Sequence, residues 1–271
     1  MPRPAKLTYA QKKCVTTTGL LMQRAGMLRP QARVGVAVSG GVDSLALLKT
    51  LTIRQAIVPF PFELMVLHVN PGFTPDNHLP LVGFVRELGL AAHIEMSDHG
   101  PRAHSEENTK NSTCFYCSLL RRKRLFELCR VYGLTHLALG HTADDLVTTF
   151  FMNILQNGRV EALSPCEPFF KGRLMMIRPA LFLEKSLIKT AARQWGLPVF
   201  ESDCPSKGAT RRDSIWAWLS GQWAGNRRIK NNVFNALRRY QLGLTLQGLS
   251  SREAENEIRE EIGRASCRER V

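Results

Sequence analysis

Val34-Gly35-Val36-Ala37-Val38-Ser39-Gly40-Gly41-Val42-Asp43-Ser44-Leu45-Ala46-Leu47-Leu48 decides the architecture. An apolar run, a turn with two glycines and an apolar helical start make one strand–loop–helix unit. The glycines let the backbone turn tightly and come close to a ligand, while the N–H groups of the loop and of the helix start converge on an anion. Neither Gly-x-x-x-x-Gly-Lys-Ser/Thr nor Gly-x-Gly-x-x-Gly is present, which excludes the Walker and Rossmann phosphate loops. Ser39, Gly40, Gly41, Val42, Asp43 and Ser44 are read as a nucleotide cradle of another kind.

Outward from this unit, strand-like and helix-like segments alternate. Strands are expected at 34–38, 62–69, 92–96, 136–139 and 174–178, with helices at 44–53, 79–88, 118–132, 144–155 and 184–195. Such alternation predicts an α/β fold: an open, mainly parallel sheet with helices on both faces. Gly89, Gly133 and Gly196 each follow a helix and precede the next element, as left-handed helix caps do. Loops that follow strands in such a sheet gather at its carboxyl edge, where ligands bind. The expected division is an N-terminal helical arm over 1–32, a nucleotide-binding domain over 33–204 and a basic helical region over 205–260. Residues 261–271 back-translate into a short-read sequencing adapter and are set aside as foreign.

The chain of 271 residues carries 37 Lys+Arg against 23 Asp+Glu, a net charge of +14. That excess points to a polyanionic partner, nucleic acid first. No apolar stretch approaches the roughly 20 residues that cross a bilayer, and the N-terminus leads into no signal-peptide apolar region, so a soluble cytoplasmic protein is expected. Arg121 and Arg122, and in the C-terminal region Arg227, Arg228, Lys230 and Arg238, are the expected RNA contacts. In the C-terminal helix Ile229, Val233, Ala236 and Leu237 form the expected packed face, leaving the basic residues on the face that is either merely solvated or phosphate-contacting.

Seven cysteines without export signals read as thiols or metal ligands. Cys114-Phe115-Tyr116-Cys117 precedes the helix expected from Ser118; alone it is equally a redox dithiol, half a zinc site or a packing pair. Cys204 is expected to leave the same sheet edge after a strand at Val199–Phe200. Three cysteines there suit an iron–sulfur cluster with one iron lacking a protein ligand, or zinc if His99, His104 or His141 supplies a fourth ligand. Cys14, Cys129 and Cys166 are read as packing residues. Gly140-His141-Thr142-Ala143-Asp144-Asp145 closes a strand and opens a helix; the paired carboxylates suit magnesium near polyphosphate and helix capping alike, and His141 is a phosphate donor or a turn histidine. The polar stretch from Ser97 to Thr113 is either a substrate loop or a solvated connection.

The Ser-Gly-Gly-x-Asp-Ser loop resembles that of the PP-loop ATP pyrophosphatases, which split ATP between the α and β phosphates. Together with Cys114-x-x-Cys117 and the following Leu119-Leu120-Arg121-Arg122, with Gly140-His141-x-x-Asp144-Asp145, Ile177-Arg178-Pro179 and Cys204, it resembles the tRNA 2-thiocytidine synthetase family from about Arg33 to Tyr240. The resemblance implies ATP and magnesium at residues 39–44, Gly140 and His141, with Asp43 and Asp144 or Asp145 as catalytic groups. It implies a [4Fe-4S] cluster on Cys114, Cys117 and Cys204, a tRNA substrate adenylated at a cytidine C2 oxygen, and an unidentified sulfur donor; a homodimer is compatible with it. The family carries Lys where this chain has Val42, and a further cysteine where it has Glu201. Thiouridine synthetases with paired zinc-ribbon cysteines and lysidine synthetases without the trio fit less well. A PP-loop enzyme of another base or of a small molecule, and a non-catalytic ATP and iron–sulfur RNA sensor, are the competing functions.

Overall fold

Val34 to Ala37 stays extended because its neighbours on both sides are strands. β1 (Ala32–Ala37) lies between β2 (Phe62–Asn70) and β4 (His136–Ala138), parallel to both, with Val34 opposite Leu64 and His136. β3 (Ala91–Met96) pairs parallel with β2, and β6 (Leu174–Ile177) parallel with β4. β5 (Cys166–Phe169) runs antiparallel on β6 as an edge strand, completing the order β3-β2-β1-β4-β6-β5. The computed structural model describes residues 6–200, 203–206, 208 and 210–247. The expected division's last segment, 261–271, and Glu201 lie outside these.

The helices are α1 (Tyr9–Arg24), α2 (Val42–Gln55), α3 (Leu79–Glu87), α4 (His99–Ala103), α5 (Thr113–Val131), α6 (Ala143–Asn157), α7 (Lys185–Trp195), α8 (Arg211–Gln222) and α9 (Arg227–Leu246). Strand alternation sends Val34, Val36, Leu64 and Val66 to one face, where they pack with Leu45, Leu48 and Leu51 of α2 and Ile188 of α7. Leu67, Val69 and Leu137 point to the other, against Leu125, Leu128 and Cys129 of α5. The sheet is covered on both faces as expected. α1 packs against α2 and α7, burying Cys14, Val15, Leu21 and Met22 in the main core. Its packed face was obscure in the sequence because Ala10, Thr18 and Gly19 contribute to it.

Three expectations give way. β5 was not expected, since Cys-Glu-Pro-Phe reads as a loop; an edge strand tolerates Pro168 because no neighbour needs its missing N–H. The strand at Val199–Phe200 does not form; instead the Phe200 N–H donates to the Gly40 carbonyl at 3.1 Å, docking this segment on the phosphate loop. α5 starts at Thr113 rather than Ser118, with Ser112 extended as its N-cap, so both cysteines lie inside the helix. Part of the polar stretch folds as α4, tied down by Gly100 N–H to Pro71 O at 2.7 Å and by the Phe73 ring against His104.

Candidate active site

Strand order reverses between β1 and β4, and the loops leaving their carboxyl ends bound a cavity of about 330 Å³. Ser39, Gly41, Asp43, Ser44, Gly140 and His141 form its polar wall, while Leu67, Val69, Leu125 and Leu137 form an apolar floor. A polar cradle beside an apolar slot accommodates a nucleotide's phosphates and base. Ser118, Arg121 and Arg122 of α5 close the far side. The expected RNA contacts Arg121 and Arg122 therefore face the nucleotide cavity.

The loop holds its shape by internal bonds. Ser44 Oγ accepts from the Ser39 N–H at 3.1 Å and donates to the Gly41 carbonyl at 2.9 Å. No side chain caps α2, whose N-cap is Gly41, so the helix start offers its leading N–H groups to an anion. Gly140 passes so close that a Cβ there would stand 3.0 Å from Ser44 Cα. Gly40 takes φ +91°, and a Cβ on it would overlap the Phe200 ring. Gly40→Ala should cost about 2 kcal/mol of unfolding free energy from backbone strain, read by denaturant titration; an unchanged midpoint would refute this account of the loop.

The carboxylates occupy unlike surroundings. Asp43 is pushed above the usual carboxylate range by burial, opposed by Lys185, whose Nζ lies 3.1 Å from Asp43 Oδ2. Asp43 Oδ1 is buried with no hydrogen-bond partner. Asp144 is likewise raised by burial, opposed by the Lys185 backbone N–H, which donates to its Oδ2 at 2.7 Å. Burial also presses Asp145 upward, but the Arg212 charge and the hydrogen bonds from Thr142 outweigh it and hold the carboxyl low; Arg212 Nη1 lies 2.6 Å from its Oδ1. Thr142 and Asp145 form a reciprocal capping box on α6. Asp145 is thus a cap and a cavity wall at once, and Asp144 fastens the start of α7.

His141 is kept neutral by burial and by the Arg178 charge. Arg178 Nε donates to its Nδ1 at 3.2 Å, which leaves the ring proton on Nε2 as a donor. Arg178 is itself buried and anchored on Glu167 at 2.9 Å.

Cys114 and Cys117 sit three residues apart in the first turns of α5, one turn ahead of Arg121. Both thiols are raised, first by burial and then by Cys204, and Arg121 lowers Cys117. The Cys204 loop is tethered by Thr74 Oγ1 to Asp203 Oδ2 at 2.6 Å and by His104 Nε2 with Ser206 Oγ at 3.0 Å. The trio is close enough to interact electrostatically, yet among the described residues no three His, Cys, Asp or Glu side chains stand at metal-ligating spacing. Cys129 and Cys166 are pushed up to about 12, and Cys14 to about 11, by burial, which marks inert packing thiols.

The basic residues of α9 divide. Arg227 and Arg228 are exposed. Lys230 lies 2.8 Å from Glu184 and over the Phe234 ring, and Arg238 stacks on the same ring 3.9 Å from Glu184. These two belong to the packed face, contrary to the expectation. The buried residues are Phe234, Leu237, Gln241 and Leu244, so Lys230 and Arg238, four residues either side of Phe234, share its side, while Ile229 is exposed. Sequence reasoning missed Lys185, Arg212 and Glu184 because each reaches the site from a distant helix end. Arg178 had a signal: an arginine closing an apolar strand.

A model of the PP-loop domain matches residues 11–216. The tRNA-cytidine(32) 2-sulfurtransferase of Geobacter sulfurreducens is 31% identical over 244 residues, covering 88% of this chain and 95% of the relative. That of Syntrophotalea carbinolica is 32% identical, covering 74% and 77%. Among solved structures, the U34-tRNA thiolase NcsA from Methanococcus maripaludis with its [4Fe-4S] cluster superposes with TM-score 0.68 at 21% identity, covering 89% of this chain and 86% of that one. That last likeness is one of fold.

Proposed function

Since the chain belongs to the PP-loop family and, within it, to the tRNA-cytidine(32) 2-sulfurtransferases, we propose that it adenylates the C2 oxygen of a cytidine in the tRNA anticodon loop and replaces that oxygen with sulfur. One observation carries the reading: α5 presents Cys114 and Cys117 at its start and Arg121, Arg122 and Leu125 in the nucleotide cavity. A sulfur-handling half and an ATP-activating half share one helix.

The residues have separable tasks. The loop N–H groups and α2 hold the polyphosphate, and the apolar floor takes the base. As the cytidine oxygen attacks the α-phosphorus, pyrophosphate leaves; Lys185, Arg121 and the His141 Nε2–H would offset the charge that develops. Sulfur then adds at C2 and AMP departs with the former carbonyl oxygen. Holding both reactants beside one cavity supplies much of the rate.

Two groups fit the residues present. Asp43 Oδ1, a buried oxygen without a partner, would take a magnesium ion, with Asp144 and Asp145 near enough to act on it electrostatically; the ion would supply charge neutralisation on the phosphates. Cys114, Cys117 and Cys204 interact electrostatically without standing at ligating spacing; drawn together, they would hold a [4Fe-4S] cluster through three thiolates, and its iron without a protein ligand would supply the sulfur.

Mass spectrometry of tRNA nucleosides from a strain lacking the gene should show 2-thiocytidine gone and restored by the cloned gene. Unchanged 2-thiocytidine, with no paralogue present, would overturn the reading; loss of 2-thiouridine instead would move the target base.

A further inference from the structure

α1 packs on α7, and residues of α9 line a groove with both; the three helices together hold eleven lysines and arginines and no aspartate or glutamate. A groove of about 620 Å³ runs between them, with Tyr9, Lys13, Arg24, Arg227 and Arg238 among its lining. We propose that this groove is the docking surface for the phosphodiester backbone of the tRNA, which extends the RNA contacts onto α1, a helix outside the residues so far considered. The proposal rests on the tRNA reading above.

Charge decides between occupants. The one carboxylate in the groove, Glu184, is already engaged by Lys230 and Arg238. Lys13, Arg24 and Arg227 have no ion-pair partner among the described residues. Three cations left unpaired in a concave surface whose one carboxylate is already neutralised raise the local concentration of a polyanion. Lys13 and Arg24 are eleven residues apart on α1, about 16 Å along its axis, which several nucleotides would span. Tyr9, 79% exposed at the rim, offers a ring on which a base can stack.

Position supports the same occupant. Glu184 lines the groove, and the next residue, Lys185, holds Asp43 of the phosphate loop. A strand lying in the groove therefore passes within one residue of the group that holds the phosphate loop. Backbone contacts of this kind orient a nucleic acid without reading its sequence.

The test uses the full chain and the double variant Lys13→Glu/Arg24→Glu, both sites being exposed. Fluorescence anisotropy with labelled tRNA should show at least a tenfold weaker Kd, and the slope of log K against log salt should become shallower by about 1.4 to 1.8, the contribution of two phosphates. A scrambled RNA of equal length should weaken equally, and binding of a fluorescent ATP analogue should be unchanged. Lys171→Glu, in the β5–β6 hairpin at the opposite end of the sheet, should bind tRNA as the wild type does. Wild-type affinity and slope in the double variant would overturn the proposal while leaving the thiolation reading intact. Unchanged RNA binding with lost binding to anionic phosphatidylglycerol vesicles would assign the groove to a membrane and overturn it too. If the wild-type chain binds no tRNA, the thiolation reading fails, and the groove with it.

Discussion

Asp43→Asn should lower tRNA thiolation by about three orders of magnitude, the scale on which one preorganised charge in an active site matters, while leaving the fold intact. The carboxylate is buried, raised by that burial, and opposed by Lys185 at 3.1 Å on one oxygen only. Its other oxygen has no partner. A buried anion with a free oxygen at the head of an anion-binding helix costs stability unless something cationic uses it. Asparagine keeps the shape and removes the charge, so the loss falls on the reaction rather than on folding. The measurements are thiolation by nucleoside mass spectrometry and thermal unfolding on the same preparation. A variant that folds and retains activity within tenfold would remove Asp43 from the chemistry.

Cys204→Ser should yield a colourless, inactive protein where the anaerobically purified wild type should be brown. Serine matches the thiol in size, but its hydroxyl is a hard, poorly ionised ligand for iron. The loop that carries Cys204 is held by Thr74 and His104 rather than by the cysteine itself, so the substitution leaves the tether in place. Cys166→Ser is the control, since its thiol is a packing group beside the Ala25 carbonyl. A colourless wild type containing zinc, or a Cys204→Ser variant that keeps its colour, would overturn the cluster.

The α/β order was legible because it rests on local pattern: mainly apolar runs at Val34–Val38 and Phe62–Val69 separated by helical periodicity. The phosphate loop and the acidic pair were legible for the same reason, each being a short contiguous motif. Lys185, Arg212 and Glu184 were not, because a helix end becomes part of a site only when the chain returns to it, and no local pattern records that return. Lys230 and Arg238 show a different failure. Charge alone assigned them to the outer surface, whereas long aliphatic stems let both cross Phe234 and place their heads on Glu184. The start of α5 was misplaced because Cys-Phe-Tyr-Cys has little intrinsic helix preference and no residue there is buried, so neither propensity nor an apolar face marks the first turn.

Cys114, Cys117, Arg121 and Leu125 follow one another at helical spacing along α5. The helix therefore works as a ruler with a fixed phase: Cys117 and Arg121 are about 6 Å apart along the axis and point the same way. One inserted residue between them would turn the cysteines by roughly 100° away from the cavity without replacing a single cysteine or loop residue. The distance from sulfur to nucleotide is thus written in the count of residues along one helix, and evolution can alter either half of the site freely only while that count is kept.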